Sequence, residues 1–594
     1  MNNLNYQKRK NLELFSSFEK KLNLCDSQNY LPIYDIFFTL NNTNYNHINL
    51  NHKFYVSEII DQNEDNSYNA VIKNTENDCE KQKTNIFIKF APLLDPFKYF
   101  IGKYNVQNKN LFNLPKKNKG KEDFHSKILE KNNSSYVDGF FYFLSSKLLN
   151  EYDFINGINF YGSFLSIKKD FSVNINDDIE YMVKSNFFLK NKNVLFKVDD
   201  YSKLIDEEEF VSKTLKEIKI HHDINCDNFL NIEHLDSNSA DDKSKIFNLK
   251  DIEDITSFIE VPKLENTKSV SSIVSNSTCS SRTSHTNEDD ETDDSETDDD
   301  ETNDDETENK NNDEVDDDEN ENEDEEDEHD EEEDEEELYA VIPKFPVEVI
   351  CLEKCENTLD NLLETEEIGL NEFQSIFMQI IMTLITYQKA FSFTHNDLHT
   401  NNIMYLKTDL TYIYYCYKNV YYEVPTFGKI FKIIDFNRSI YKFNNHIFCS
   451  DSFQTTGDAA TQYNTEPFFN KRKPRLDPNF SFDICRLACS IFDYLIDDMD
   501  EIKDLDKCSP IVKLIVEWTS DDKGVNILYK NNGMERYPDF KMYKMISRLV
   551  HNHTPQNQLE KNDFKQFIVN KNTLSKKIKV VNIDNIPQFF GKNA

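Results

Sequence analysis

The sequence predicts an α+β protein: a small antiparallel β-rich part, a mainly helical part after it, and a long acidic insertion between the two. Three observations carry this reading. Residues 54–60, 69–72 and 85–90 are short runs rich in β-branched and aromatic residues separated by polar turns, the pattern of neighbouring antiparallel strands. Residues 136–149 and 372–387 place apolar side chains at helical spacing (Phe140, Phe141, Leu144 and Leu148; Phe373, Phe377, Ile380, Ile381 and Leu384), as amphipathic helices do. Composition then breaks sharply: residues 288–337 hold 36 of the 108 acidic residues against one lysine, Lys310, and so carry −35 of the net charge of −41. The acidity belongs to one appendage, and the folded part around it is close to neutral.

In chain order, residues 1–50 form a polar, Asn-rich N-terminal extension with a weak helical pattern from residue 12 to 22 and no assigned function. Residues 51–182 supply the three strands, the helix at 136–149 and a fourth strand at 158–164; residues 105–130, rich in Lys and Asn, read as an exposed loop. A fifth strand is expected only at residues 347–353. The insertion between them, residues 183–337, has some order-promoting content at first. From about residue 235, through the Ser/Thr tract at 269–286 and the acidic run, low hydrophobicity and like-charge repulsion cannot offset the entropy of ordering the chain, so disorder is expected. Residues 338–358 complete the β part, and 359–594 form the helical part. Within the latter the Tyr-rich residues 405–427 read as a packed hairpin, with a base-stacking platform as the alternative.

Composition also excludes several classes. The 11 cysteines include no Cys-x-x-Cys pair, which argues for a reducing compartment and against a disulfide framework. Cys485 and Cys489, at i, i+4, read as buried thiols and not as zinc ligands. There is no secretory h-region, and the longest apolar run, residues 376–385, is about half of what a span needs. A soluble intracellular protein with no membrane partner and no specific nucleic-acid signal is expected.

The chemistry-bearing stretch is His395-Asn396-Asp397-Leu398-His399-Thr400-Asn401-Asn402, followed by Ile433-Ile434-Asp435-Phe436. Phosphoryl transfer needs a carboxylate to accept or orient the substrate hydroxyl, and an amide and a second carboxylate to hold magnesium on the nucleotide phosphates. Asp397, Asn402 and Asp435 supply that set at suitable spacing. The pattern resembles the protein-kinase catalytic loop and its metal site. Phe482-Asp483-Ile484-Cys485-Arg486 resembles the family's F-helix, with Asp483 as the buried acid that caps the catalytic loop. Together with Tyr136-Val137-Asp138-Gly139-Phe140-Phe141 and His551-Asn552-His553-Thr554-Pro555-Gln556, these phrases look like the divergent serine/threonine kinases of giant DNA viruses, over residues 50–180 and 338–570.

The resemblance implies a bilobal protein-kinase-like fold, a small antiparallel β N-lobe on a mainly helical C-lobe. It also implies ATP and Mg2+ as cofactors and Ser/Thr hydroxyls of a protein substrate as acceptors; if the source is viral, the protein would sit in host cytoplasm or virion. Lys89, on the third strand, becomes the phosphate-gripping lysine, and Lys73 falls on the second. The acid paired with Lys89 is left open between Asp138 and Glu151. The backbone at Glu353 and Cys355 would meet an adenine edge, and Asp360 a ribose hydroxyl. His395 is expected to anchor the loop. Asn396 replaces the family's arginine, so activity independent of activation-loop phosphorylation is expected. His399 replaces a lysine and is charged only when protonated. Asn437 replaces a glycine, and Asn tolerates positive φ better than other non-Gly residues, which keeps the turn accessible. No glycine precedes Gly102, so the Gly-rich phosphate loop is missing. Thr465-Glu466-Pro467 is at best a degenerate Ala-Pro-Glu. The basic residues 471–475 are a solvated loop, or a seat for an acidic substrate or for the chain's own acidic run, which is otherwise a tail for basic partners. A catalytically weak pseudokinase acting as a binding module, and a small-molecule phosphotransferase, are the alternative functions.

Overall fold

The computed structural model describes residues 4, 6–8, 12–64, 66–77, 79–201, 337–575 and 577–591. The Ser/Thr tract, the acidic run and the disorder expected from about residue 235 lie outside the described residues.

The described residues are α+β with antiparallel sheets. The main sheet contains β1 (Leu24–Gln28), β2 (Phe54–Glu64), β3 (Ser67–Asn74), β4 (Lys81–Pro92), β5 (Phe160–Asn174) and β6 (Tyr339–Glu353). Its order is β1-β5-β6-β4-β3-β2, and the short strand Lys197–Val198 pairs with the outer end of β6. The three meander strands fall where the sequence places them, and Lys89 lies on β4, opposite Ile350 of β6. Lys73 lies on β3.

Four stretches differ from the expected pattern. β5 and β6 are 15 residues each, about twice the predicted length, because residues beyond the apolar runs pair with one another from Leu165↔Glu348 to Asn174↔Tyr339. Ring stacking of Phe171 on Phe345 at 5.2 Å steadies that outer ladder. Described residues among the first 50 pack on the main sheet. Helix α1 (Leu12–Lys21) sets Phe15 and Phe18 against Phe164 at 5.0 and 5.9 Å, and β1 adds an edge to β5. Residues 183–201 likewise belong to the fold, with Phe188 stacked on Phe196 at 5.6 Å. The loop at 105–130 is partly internal: Leu111, Leu114 and Phe124 are buried.

Helix α2 (Ser134–Tyr152) packs beneath this sheet. The Asn133 side chain caps its first turn by accepting from Ser135 N, and Asp153 ends it in the left-handed region. Gly139 is required there: a Cβ would lie 2.3 Å from Oε1 of Glu348, which is buried on β6.

After a short helix, α3 (Leu359–Thr365), the helical part is built on α4 (Leu370–Phe391), of whose 22 residues 18 are buried. A helix apolar nearly all round must be central. Its buried polar groups are satisfied: Thr383 and Thr386 donate to carbonyls one turn back, and Gln379 Oε1 accepts from Phe431 N at 3.0 Å. Strands β7 (Ile403–Lys407) and β10 (Lys429–Ile433) pair beside it. Between them the Tyr-rich hairpin, β8 (Tyr412–Tyr417) and β9 (Val420–Pro425), turns at Lys418 and Asn419, both at positive φ, as a two-residue hairpin requires. The C-terminal segments Ile568–Val569 and Val580–Asn582 extend it to four strands. Tyr415 is buried and donates to Asn156 Oδ1 at 2.7 Å, so the hairpin packs as strands, as expected, while Tyr412 at its start is exposed. Helices α5 (Phe482–Leu495), α6 (Pro510–Trp518) and α7 (Lys541–Leu549) complete the part. Among the described residues no helix is long and apolar enough to cross a membrane.

Candidate functional site

The stretch 395–402 leaves α4 through Ser392 in the left-handed region and runs into β7. Antiparallel pairing of Ile403 with Ile433 brings the end of this loop beside the start of the Asp435 segment, and Ile434 N donates to Asn402 O at 3.0 Å. Asn402 and Asp435 are thus neighbours by strand register. The loop backbone hangs from Asp483 on α5, whose two oxygens accept from His395 N and Asn396 N, each at 2.9 Å. His395 bonds the Ile434 carbonyl through Nε2 at 2.8 Å, the anchoring role expected of it. Burial raises the Asp483 carboxyl against the pull of His395 and the two N–H groups. Asp483→Asn keeps the volume but aims an NH2 at one of those donors. It is expected to cost ~1–3 kcal/mol of unfolding free energy, read by denaturant titration; an unchanged midpoint would refute the capping role.

Lys89 is the hub of the site. Its Nζ lies 2.8 Å from Asp138 Oδ2 and 2.8 Å from Asp435 Oδ1, with all three side chains nearly buried. The acid on α2 is therefore Asp138; Glu151 pairs instead with Lys147 one turn back. Burial opposes the ammonium, but the two carboxylates outweigh it and raise its pKa. Burial raises Asp138 against the pull of Lys89. Asp138 Oδ1 also accepts from Phe436 N at 2.7 Å, and Asp435 N donates to the Tyr142 hydroxyl at 2.8 Å. Helix α2, the sheet and the Asp435 segment are therefore locked together through one cation. The left-handed residue of that segment is Asp435 itself, at φ 59°, and Asn437 is not at positive φ. Its short polar side chain tolerates that conformation.

Asp397 is buried, accepts from Tyr543 OH at 2.7 Å, and lies 4.0 Å from Arg438 Nε. Burial alone would raise its carboxyl, yet Arg438, His399 and Arg486 hold it well below the usual carboxylate range. Such a group is a weak base and a good orienter of a hydroxyl. Asn402 donates through Nδ2 to the Asp397 carbonyl at 2.9 Å and pairs with His399 Nε2 at 3.0 Å. Burial pushes His399 down to about 4, so its imidazole is neutral at physiological pH. Burial also lowers His125 and His553. The unfolded chain, whose histidines titrate near ~6.5, binds more protons than the fold as pH drops below that value. Each such histidine therefore weakens the fold by up to ~1.4 kcal/mol per pH unit on acidification. The melting temperature of His399→Gln is expected to fall less than that of the wild type between pH 7.5 and 5.5; parallel curves would refute the neutral assignment.

Asn396, at φ 65°, gives Nδ2 to the Arg438 carbonyl at 3.0 Å and takes the Tyr463 hydroxyl at 2.8 Å. It is a neutral tether, and Arg438, whose carbonyl it binds, pairs through its side chain with Asp458 at 2.7 Å.

The residues expected at the hinge are bonded within the fold. Asp360 is buried and accepts from Thr400 Oγ1 and from Tyr494 OH. The Glu353 carboxylate binds Lys432 Nζ at 2.7 Å and the Asn159 backbone and side chain, both at 3.0 Å, pinning β6 to β10. The Cys355 side chain is buried, and the next residue donates its N–H to the Tyr405 carbonyl. Cys485 and Cys489 are free buried thiols. Sequence reasoning missed Arg438, Arg486 and Tyr543. Arg486 shares a helical face with Asp483 at i, i+3, a signal that was present; Tyr543 stands 146 residues from Asp397 and had none.

No protein-family model matches the chain. Over 209 residues it is 25% identical to the uncharacterized protein 098R of Invertebrate iridescent virus 6, a match covering 32% of this chain and 34% of that protein. The chain is thus similar to a viral protein over about a third of each.

Proposed function

We propose that the protein is an ATP- and Mg2+-dependent phosphotransferase of protein-kinase type that acts on Ser/Thr hydroxyls of proteins. The observation that supports it most is the Lys89–Asp138–Asp435 cluster, set against a loop bearing Asp397 and Asn402 that Asp483 holds by its backbone. A lysine on a β-strand, an acid on the helix beneath and a carboxylate beside the loop suit the gripping of nucleotide phosphates. An antiparallel sheet preceding a helical part agrees with a two-lobed kinase-like arrangement.

The Asn402 amide and the Asp435 carboxylate are hard donors suited to magnesium. Among the described residues no group of three or more His, Cys, Asp and Glu forms a metal cage, and a two-donor set fits a cation that arrives with its phosphates. When bound, that ion neutralises charge on the phosphates. Lys89, released from Asp435, would hold the phosphates while Asp138 keeps it in place. Asp397 would orient the acceptor hydroxyl.

One observation favours the pseudokinase reading: the Asp397 oxygen that would meet an acceptor already binds Tyr543. Incubation of the purified chain with γ-labelled ATP, Mg2+ and Ser/Thr-bearing proteins decides between the two. Label on Ser/Thr that needs Mg2+ and disappears in Asp435→Asn supports transfer. Nucleotide binding with no transfer supports a binding module, and neither binding nor transfer discards both.

A further inference from the structure

The basic residues that follow Tyr463 are held in a built turn. Asn464 and Leu476 close its neck, bonding N to O in both directions at 3.0 and 3.2 Å. The Asn464 amide fills its interior: Nδ2 meets the carbonyls of Asn470, Lys473 and Pro474 at 3.1, 3.0 and 2.7 Å, and Oδ1 accepts from Asn470 N at 2.8 Å. Arg475 is used internally, bonded to Asp477 at 2.7 Å. Lys471, Arg472 and Lys473 are exposed and make no ion pair among the described residues. Three cations thus project from a backbone that one asparagine fixes.

Both ends of the turn lead to the catalytic loop. Tyr463, adjacent to the neck, donates to the Asn396 side chain, and Asp483, seven residues beyond Leu476, accepts from the Asn396 backbone. Asn396 precedes Asp397. An extended peptide advances ~3.3–3.6 Å per residue, so a segment with its hydroxyl at Asp397 carries its flanking residues toward the turn.

We propose that the turn at residues 470–475 is a recognition element for acidic peptide segments flanking the acceptor hydroxyl, which makes the enzyme acid-directed. This deepens the phosphotransfer reading and rests on it for the acceptor's position. Cations on a pre-organised frame lose little entropy when they meet carboxylates, and exposed charges contribute more to selecting a partner than to overall affinity.

The test needs no nucleotide. A fluorescent peptide with one Ser followed by four Glu, and its Gln counterpart, are titrated with the intact chain by anisotropy. The Glu peptide is expected to bind about tenfold tighter at low salt, with the difference shrinking when the Debye length falls to ~3 Å in 1 M salt. The triple variant Lys471→Gln, Arg472→Gln, Lys473→Gln is expected to abolish the preference, and Asn464→Ala, which keeps the charges, to reduce it several-fold. Equal affinities in the wild type, or a preference that survives the triple variant, would overturn the proposal. Carbodiimide coupling, which joins amines to touching carboxylates, identifies the source of the acid. Adducts of Lys471 or Lys473 with the peptide assign an external segment; adducts with residues 288–337 assign the chain's own run as an intramolecular competitor for the same seat; adducts at neither lysine overturn the proposal. Loss of the preference leaves phosphotransfer standing, and failed transfer leaves this binding result readable.

Discussion

Asp435→Asn is expected to lower phosphoryl transfer by about 10²–10³-fold or more while leaving the melting temperature within a few degrees of the wild type. The two halves of this expectation have separate causes. Asp435 is the charged member of the proposed metal pair, and an amide in its place keeps the shape but removes the charge that opposes the cation. For stability, Lys89 faces two acids, at 2.8 Å each; removing the charge of one leaves a neutral pair with Asp138. The backbone bond from residue 435 to Tyr142 survives. Asparagine tolerates the φ of 59° at this position, whereas alanine would add strain of ~1 kcal/mol or more. Transfer measured with saturating Mg-ATP, beside thermal melting, tests both. A variant with full activity removes Asp435 from the mechanism, and a variant that melts far below the wild type makes the residue structural.

Lys89→Met is expected to abolish transfer and also to destabilise the fold by ~3–5 kcal/mol, because breaking a buried pair from one side strands the remaining charge. Two carboxylates would then share a buried site without a cation, and one of them would take up a proton to limit the cost. The double variant Lys89→Met, Asp138→Asn is therefore expected to melt above the single variant, a rescue that additive effects would not produce. Denaturant unfolding of the wild type, both single variants and the double gives the coupling directly. No coupling would mean that the 2.8 Å contacts carry no net energy.

The same cluster shows where sequence reading reaches its limit. Lys89 was separable from Lys73 because the order of β-rich runs places it on the third strand, and strand order follows from short-range alternation of residue types. Asp483 was legible because it opens an unbroken amphipathic helix, and His395 because it belongs to a contiguous motif. The pairing of Lys89 with Asp138 was not legible: Asp138 near the start of α2 and Glu151 near its end were both open, and only the packing of α2 under the sheet selects the one that faces β4. The hydrogen-bond partners of Asp360 were not legible either. Its partners, Thr400 and Tyr494, come from other elements.

The amino-acid order by itself determined the α+β class, most of the strands and helices, and the three residues around which a phosphotransfer site can be argued. Each of these is written in periodicities of two or 3.6 residues, or in spacings within one stretch of chain. The tertiary structure alone decided which charges meet. Lys89 reaches Asp435 across 346 residues, and Tyr543 and Arg438 close around Asp397. The partner of a buried charge is selected by the cost of leaving it unpaired among whatever the folded elements bring near, and that proximity is a property of packing, not of neighbourhood along the chain.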